Sequence, residues 1–151
     1  MTQPKSSGLH LAALVVASVL TTACGGSTAT LNFKCDPVVN GGTLLTVDVV
    51  RGSESDARRI RELGERWFYD SARNGMGDRL KTLTFPMTSP DGKCEAKVPV
   101  SAQKGDEFLV VVADYKFQNQ AGGQQILVLD KKKWKGKKLE ISVHDKEITL
   151  R

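Results

Sequence analysis

The sequence predicts a mainly β domain, a two-sheet β-sandwich of about eight short strands with a helical insertion between the second and third strands. Three observations predict it. Apolar residues recur with a period of two in one segment after another, Pro, Gly and Asn signals separate those segments, and the stretch from Ser53 to Trp67 alone changes to helical spacing.

The elements follow in order. Thr30 to Cys35 alternates with Leu31, Phe33 and Cys35 on one face, and Leu45, Val47 and Val49 repeat the pattern, so two half-buried strands are expected. Between them Asp36-Pro37-Val38-Val39-Asn40-Gly41-Gly42 carries turn signals throughout and reads as a loop. Ser53 with Asp56 three residues on is a capping-box variant, and Ile60, Leu63 and Trp67 then recur at helical spacing, which predicts an amphipathic helix from about Glu54. Gly64 ends or bends that helix, Trp67-Phe68-Tyr69 supplies a bulky apolar plug, and a second short helical turn fits between Asp70 and Asp78. Leu83, Phe85 and Met87, a Pro90-Asp91-Gly92 turn, and then Cys94, Ala96, Val98 and Val100 read as a hairpin. Phe108 to Ala113 is apolar on both faces, as in a central strand covered on two sides, and Ile126 to Leu129 reads the same way more briefly. Leu139, Ile141 and Val143, then Ile148 and Leu150 across a His144-Asp145 bend, form a closing hairpin.

Ahead of this domain stands a targeting segment. Lys5 provides a positive start, and Leu9 to Leu20 is an apolar run too short to span a bilayer comfortably, so it reads as a signal peptide. Leu20-Thr21-Thr22-Ala23-Cys24 resembles a bacterial lipobox, with Thr21 where Leu is usual. The resemblance implies removal of residues 1–23 and acylation of Cys24, with simple cleavage after Ala23 as the alternative. Gly25 and Gly26 lack the Asp that retains lipoproteins at the inner membrane, so the expected location is the outer membrane, facing the periplasm. Residues 24–30 are then a lipidated tether and 31–151 the sandwich. With Cys24 taken by lipid, Cys35 and Cys94 remain as an even pair in an oxidising compartment, which predicts a disulfide against the alternative of two buried thiols.

Composition narrows the function. A charged fraction of 26% with 6% aromatics suits a soluble globular body. The formal charge of +5 includes Lys5, and much of the rest is concentrated near the C-terminus, so no diffuse nucleic-acid footprint is expected. His10 leaves with the signal and His144 sits at a bend, leaving no histidine or cysteine group for acid–base or nucleophilic work. No metal-binding, nucleophile-elbow or phosphate-loop spacing occurs, and Asp70 and Asp78 around Asn74-Gly75-Met76-Gly77 do not make a calcium cage. No enzyme, metal or cofactor beyond the covalent lipid is therefore expected. Lys131, Lys132, Lys133, Trp134 and Lys135 begin a run that can meet an anionic lipid surface, meet an acidic protein partner, or form a solvated loop whose Trp134 folds back over the sandwich.

Taken together, the lipobox, the first strand, the loop Asp36 to Gly42, the strand Leu44 to Val50 and the insertion through Trp67-Phe68-Tyr69-Asp70 resemble the outer-membrane lipoprotein subunit of the type VI secretion membrane complex, the TssJ family. Phe108 to Tyr115, Gln125 to Leu129 and the Lys-rich segment before a last hairpin extend the resemblance over nearly the whole mature chain. It implies a transthyretin-like sandwich with added helices, moored by acyl chains and bound to the periplasmic domain of an inner-membrane, TssM-like subunit. The family's partner loop maps to Pro37, Val38, Val39 and Asn40, where two exposed valines would seat in a groove. A transthyretin-like hydrolase of purine breakdown shares the sandwich but needs several His and Arg residues in a pocket. A generic periplasmic ligand-binding or chaperone-like lipoprotein is the other alternative.

Overall fold

The computed structural model describes residues 27–86, 94–116 and 125–151. The strands are β1 (Thr28–Cys35), β2 (Leu45–Gly52), β3 (Leu80–Phe85), β4 (Glu95–Ser101), β5 (Phe108–Ala113), β6 (Ile126–Asp130), β7 (Lys138–Val143) and β8 (Ile148–Leu150). They form two four-stranded sheets in the orders β4-β1-β7-β8 and β3-β2-β5-β6. Helices α1 (Glu54–Leu63) and α2 (Ser71–Asn74), with 3-10 turns at Gly64–Tyr69 and Gly77–Arg79, lie between β2 and β3, and α3 (Lys131–Trp134) joins β6 to β7. The expected sandwich with a helical insertion between the second and third strands is what the chain forms.

Alternation decides what each strand buries. Leu31 and Phe33 of β1, Ala96, Val98 and Val100 of β4, and Leu45, Val47 and Val49 of β2 meet between the sheets. β5 buries both faces, as its unbroken apolar run requires. Leu109, Val111 and Ala113 join the inter-sheet core, while Val110 and Val112 turn outward beneath the helices with Val50, Ala57, Ile60, Trp67 and Met76. β6 lies at the sheet edge, yet Leu127 and Leu129 fill the core and Ile126 and Val128 pack under the helical layer.

One pairing differs from the sequence reading. β3 and β4 are not a hairpin: β3 pairs with β2 in one sheet and β4 with β1 in the other. Both are edge strands with one apolar face, and that pattern does not say which sheet a strand joins. Met87 and the Pro90-Asp91-Gly92 turn lie outside the described residues. The strand starts also shift, since β1 opens at Thr28 and takes in the last three residues assigned to the tether.

Local chemistry sets the insertion in place. Ser53 Oγ accepts from Asp56 N (3.3 Å) and Asp56 Oδ2 accepts from Ser53 N (2.9 Å), closing the capping box at the start of α1. Burial pushes the Asp56 carboxyl up, but the Ser53 hydrogen bonds and the Arg79 guanidinium outweigh it and hold the group below the usual carboxylate range. A Cβ at Gly52 would come within 2.5 Å of Asp56 Oδ2, so that close approach requires glycine. Trp67 alone of the Trp67-Phe68-Tyr69 run is fully buried, and Tyr69 stands out in solvent.

Beneath the insertion, Asp48 is fully buried on the outward face of β2. Its carboxylate accepts from Trp67 Nε1 (2.9 Å), Arg73 Nε (2.6 Å) and Nη2 (3.1 Å), and Thr82 Oγ1 (2.7 Å). The Asp48 hydrogen bond raises the Arg73 guanidinium further above its ordinary range. At the end of β2, buried Arg51 pairs with Asp106 (3.0 Å) and with Asp78 (2.7 Å).

A disulfide joins Cys35 to Cys94, with Cα atoms 5.3 Å apart, and ties the end of β1 to the residue before β4. Both cysteines pack against the core, as their phase in the strands implied.

Two measurements check these points. Asp48→Ala leaves Arg73 and the Trp67 N–H without their partner and is expected to lower unfolding free energy by about 3–5 kcal/mol in urea denaturation. A loss under about 1 kcal/mol would show that the network is dispensable. Neither Cys35 nor Cys94 should label with a thiol reagent before reduction, and the double Ser variant should lose about 2–5 kcal/mol.

Candidate functional site

β1 runs the length of the molecule and defines two poles. Its eight residues extend over about 25 Å at the rise of a strand. Ser27 enters at one pole. The predicted partner loop leaves Cys35 at the other.

At the loop pole, three segments are laced together. Asn40, Gly41 and Gly42 take left-handed φ values of 51°, 62° and 77°, a conformation open to Asn and Gly but strained for other residues. The turn is pinned by Asn40 N donating to Asp145 O (3.0 Å), by Gly41 N donating to Asp145 Oδ1 (2.6 Å), and by Asn40 Oδ1 accepting from Lys116 N (2.7 Å). Asn40 Nδ2 closes the loop on Leu44 O (2.8 Å). The buried Tyr115 hydroxyl donates to Glu147 O (2.6 Å), with His144 O at 3.0 Å. Burial, then the carboxylates of Glu147, Asp145 and Asp36, push its ionisation far above the ordinary range, so this donor persists at any physiological pH.

The structure divides the predicted loop residues. Pro37 and Val38 face solvent, Val38 with 56% of its surface open, but Val39 is 1% exposed and belongs to the inter-sheet core. The expectation of two exposed valines is thus corrected: the backbone reversal at Asn40 turns Val39 inward. Asn40 is buried too, and it shapes the loop instead of presenting itself. Two residues outside the predicted partner loop complete the surface. Leu44 is 70% exposed and Tyr69 is 85% exposed, and both line a recess of about 360 Å³ with Glu65, Asp114 and Lys116. Leu44 was findable, because Leu45 points inward and the strand period then sends Leu44 out. Tyr69 was hidden by its apolar neighbours. Burial raises the Asp114 carboxyl, with Asp48 and Glu65 adding to the rise and Arg73 opposing it. A cation brought to this recess would relieve that strain on charge.

His144 is less isolated than a bend residue suggests. Its Nδ1 lies 2.9 Å from Asp36 Oδ2 and its Nε2 lies 3.2 Å from Thr149 Oγ1. Acid, imidazole and hydroxyl stand in the order of a nucleophilic relay, but Asp36 is half open to solvent. A relay needs a pocket and oxyanion donors beside the hydroxyl. Here the contacts fasten the β1–β2 loop to the β7–β8 turn.

Other predicted positions resolve simply. Asp70 caps α2 and pairs with Arg59, and Asp78 pairs with Arg51, so both carboxylates are committed to arginines. The largest described recess, about 400 Å³, lies on the outer face of the first sheet among Asn32, Lys34, Glu95, Lys97, Lys138 and Glu140. That lining is charged and open, unlike the mostly apolar enclosure of a small-molecule site. At the tether pole Trp134 is fully buried in the core, so its indole is not at the surface beside the lysines. Cys24 lies outside the described residues. Among those described, no helix is long and apolar enough to cross a membrane.

No protein-family model and no curated relative matches the sequence. Solved structures do match. The chain is similar to the type VI secretion lipoprotein TssJ1 of Pseudomonas aeruginosa, at 16% identity over 83% of this chain and 95% of that one, with a TM-score of 0.62. It is also similar to Serratia marcescens Lip, a membrane-bound component of the type VI secretion system, at 16% identity over 83% and 97%, with a TM-score of 0.61. A chain of a type VI membrane complex matches at 16% identity over 83% and 98%, with a TM-score of 0.66. Each match spans nearly the whole of the other chain, and the fold of this protein is the TssJ-like sandwich.

Proposed function

We propose that this chain is an exported lipoprotein, acylated on Cys24 and moored in the outer membrane facing the periplasm, that anchors a type VI secretion membrane complex. It does so as a structural component, by binding the periplasmic domain of a TssM-like inner-membrane subunit. The observation that carries the reading is a lipobox cysteine just ahead of the first strand of a TssJ-like sandwich. Acyl chains supply the hold on the bilayer, and confinement raises the effective concentration for a modest protein interface.

The partner contact belongs to the loop pole. Pro37, Val38, Leu44 and Tyr69 offer apolar surface there, while Asn40 and Val39 hold the loop in shape from within. The bonds from Asp145 and Lys116 order the loop before binding, which lowers the entropy lost on association. Asp114 and Glu65 beside Tyr69 favour a partner segment carrying a cation. The charged recess on the first sheet gives the ligand-binding alternative no comparable support.

Two experiments test the reading. Radiolabelled palmitate should enter the wild-type chain and not Cys24→Ser, and the variant should lose its outer-membrane fractionation. Unchanged fractionation of Cys24→Ser would reject the mooring. Val38→Asp with Leu44→Asp should abolish capture of the partner's periplasmic domain while shifting stability by no more than about 0.5 kcal/mol, because both side chains are exposed. Val39→Asp should instead destabilise the fold by several kcal/mol through a buried charge. Normal capture by the Val38/Leu44 variant would remove this loop from the interface.

A further inference from the structure

The lysine-rich segment has a fixed place relative to the start of the domain. β7 runs parallel to β1, with Thr30 opposite Lys138, and Thr30 N donates to Lys137 O (2.8 Å). Gly136 has a φ of 69°, and a Cβ there would lie 3.3 Å from Ser27 Cβ. The segment therefore packs directly on Ser27, the first described residue. Cys24 is three residues earlier, a distance the chain spans with at most about 11 Å.

We propose that Lys131, Lys132, Lys135 and Lys137 form a second membrane contact, docking on the anionic phospholipid headgroups of the leaflet that holds the acyl chains. The inference rests on acylation at Cys24, since that bond is what brings this pole to a bilayer. The reach of about 11 Å is comparable with the Debye length of about 8–10 Å, so lysines beside Ser27 come within electrostatic range of a bilayer that holds the acyl chains when this pole faces it.

Three features suit the segment to this work. These four lysines form no ion pair among the described residues, whereas Lys133 is partly offset by Asp130 at 3.5 Å. Its backbone is already ordered, because Asp130 Oδ1 accepts from Lys133 N (3.1 Å), Lys131 O accepts from Lys135 N (3.0 Å), and Trp134 O accepts from Lys137 N (3.0 Å). Trp134 fastens it from inside the core. The contact is accordingly one of charge alone. Acids stand at this end of the second sheet too: Asp78 and Asp106 pair with Arg51, Asp56 pairs with Arg79, and the Glu107 carboxylate accepts from the Glu54 backbone N–H at the start of α1 (3.4 Å).

The test uses the mature chain from residue 24 with Cys24→Ser, which retains every core residue from Ala29 to Ile148. Flotation with vesicles of phosphatidylcholine, alone or mixed with phosphatidylglycerol, reads the lysines without the lipid. Binding should require phosphatidylglycerol and fall with added salt, and Lys131→Gln, Lys132→Gln and Lys135→Gln together should weaken it on the order of 100-fold, at about fivefold per lysine. Tryptophan emission, which comes from the buried Trp67 and Trp134, should not shift on binding. Equal binding to neutral vesicles, full binding by the triple variant, or a preference for polyglutamate over vesicles would overturn the proposal, the last by making the segment a protein contact. The intact mass of the wild-type chain from cells reports acylation separately. An acylated protein with no anionic preference overturns the lysine contact and leaves the anchor standing.

Discussion

Asp48 sets a carboxyl group at a position closed to solvent, and the helical layer takes its place from the hydrogen bonds that group accepts. Val50, Val110 and Val112 form an apolar outer face on the second sheet that has to be covered. Apolar burial is non-directional, however, and would accept the helices in many orientations. The Asp48 carboxylate accepts only donors arriving from Trp67, Arg73 and Thr82, which selects one position for the whole insertion. Placement of Tyr69 follows, because it lies two residues from Trp67 and is carried out to the recess shared with Leu44. A buried polar interaction in one layer thus sets the shape of a surface beyond it.

The loop pole depends on a comparable division of work. Asp145 and His144 join the β7–β8 turn to the β1–β2 loop, Tyr115 ties that turn to the end of β5, and the Cys35–Cys94 bridge closes the base of the loop. Each bond is modest, worth about 1 kcal/mol. Together they keep a glycine-rich turn in one conformation, so its exposed apolar side chains are displayed on a rigid mount.

Much of the fold was legible because the strands bury one face. The alternation of Leu31 with Phe33 and of Ala96 with Val98 and Val100 required strands, the Ser53–Asp56 spacing marked a helix start, and the even pair Cys35 and Cys94 marked a bridge. What escaped was what periodicity does not encode. Edge strands β3 and β4 carry the same signature whichever sheet they join. Asp48 reads as an outward polar residue until a helical layer is known to cover it. Val39 reads as loop surface until the left-handed turn at Asn40 aims it inward, and the lysines around Trp134 disguise a core residue as part of a charged run. The Asp36–His144 contact spans 108 residues and leaves no local trace.

β1 has an inner place in its sheet, bonded to β4 on one side and to β7 on the other. Under a force applied between its two ends, tension passes along this strand. Its ladders then share the load in shear, so many bonds must rupture at once, where a strand peeled from an edge would release them singly. The covalent bridge at Cys35 hands part of that tension to β4. Pulled end to end, the sandwich would resist as a tensile link.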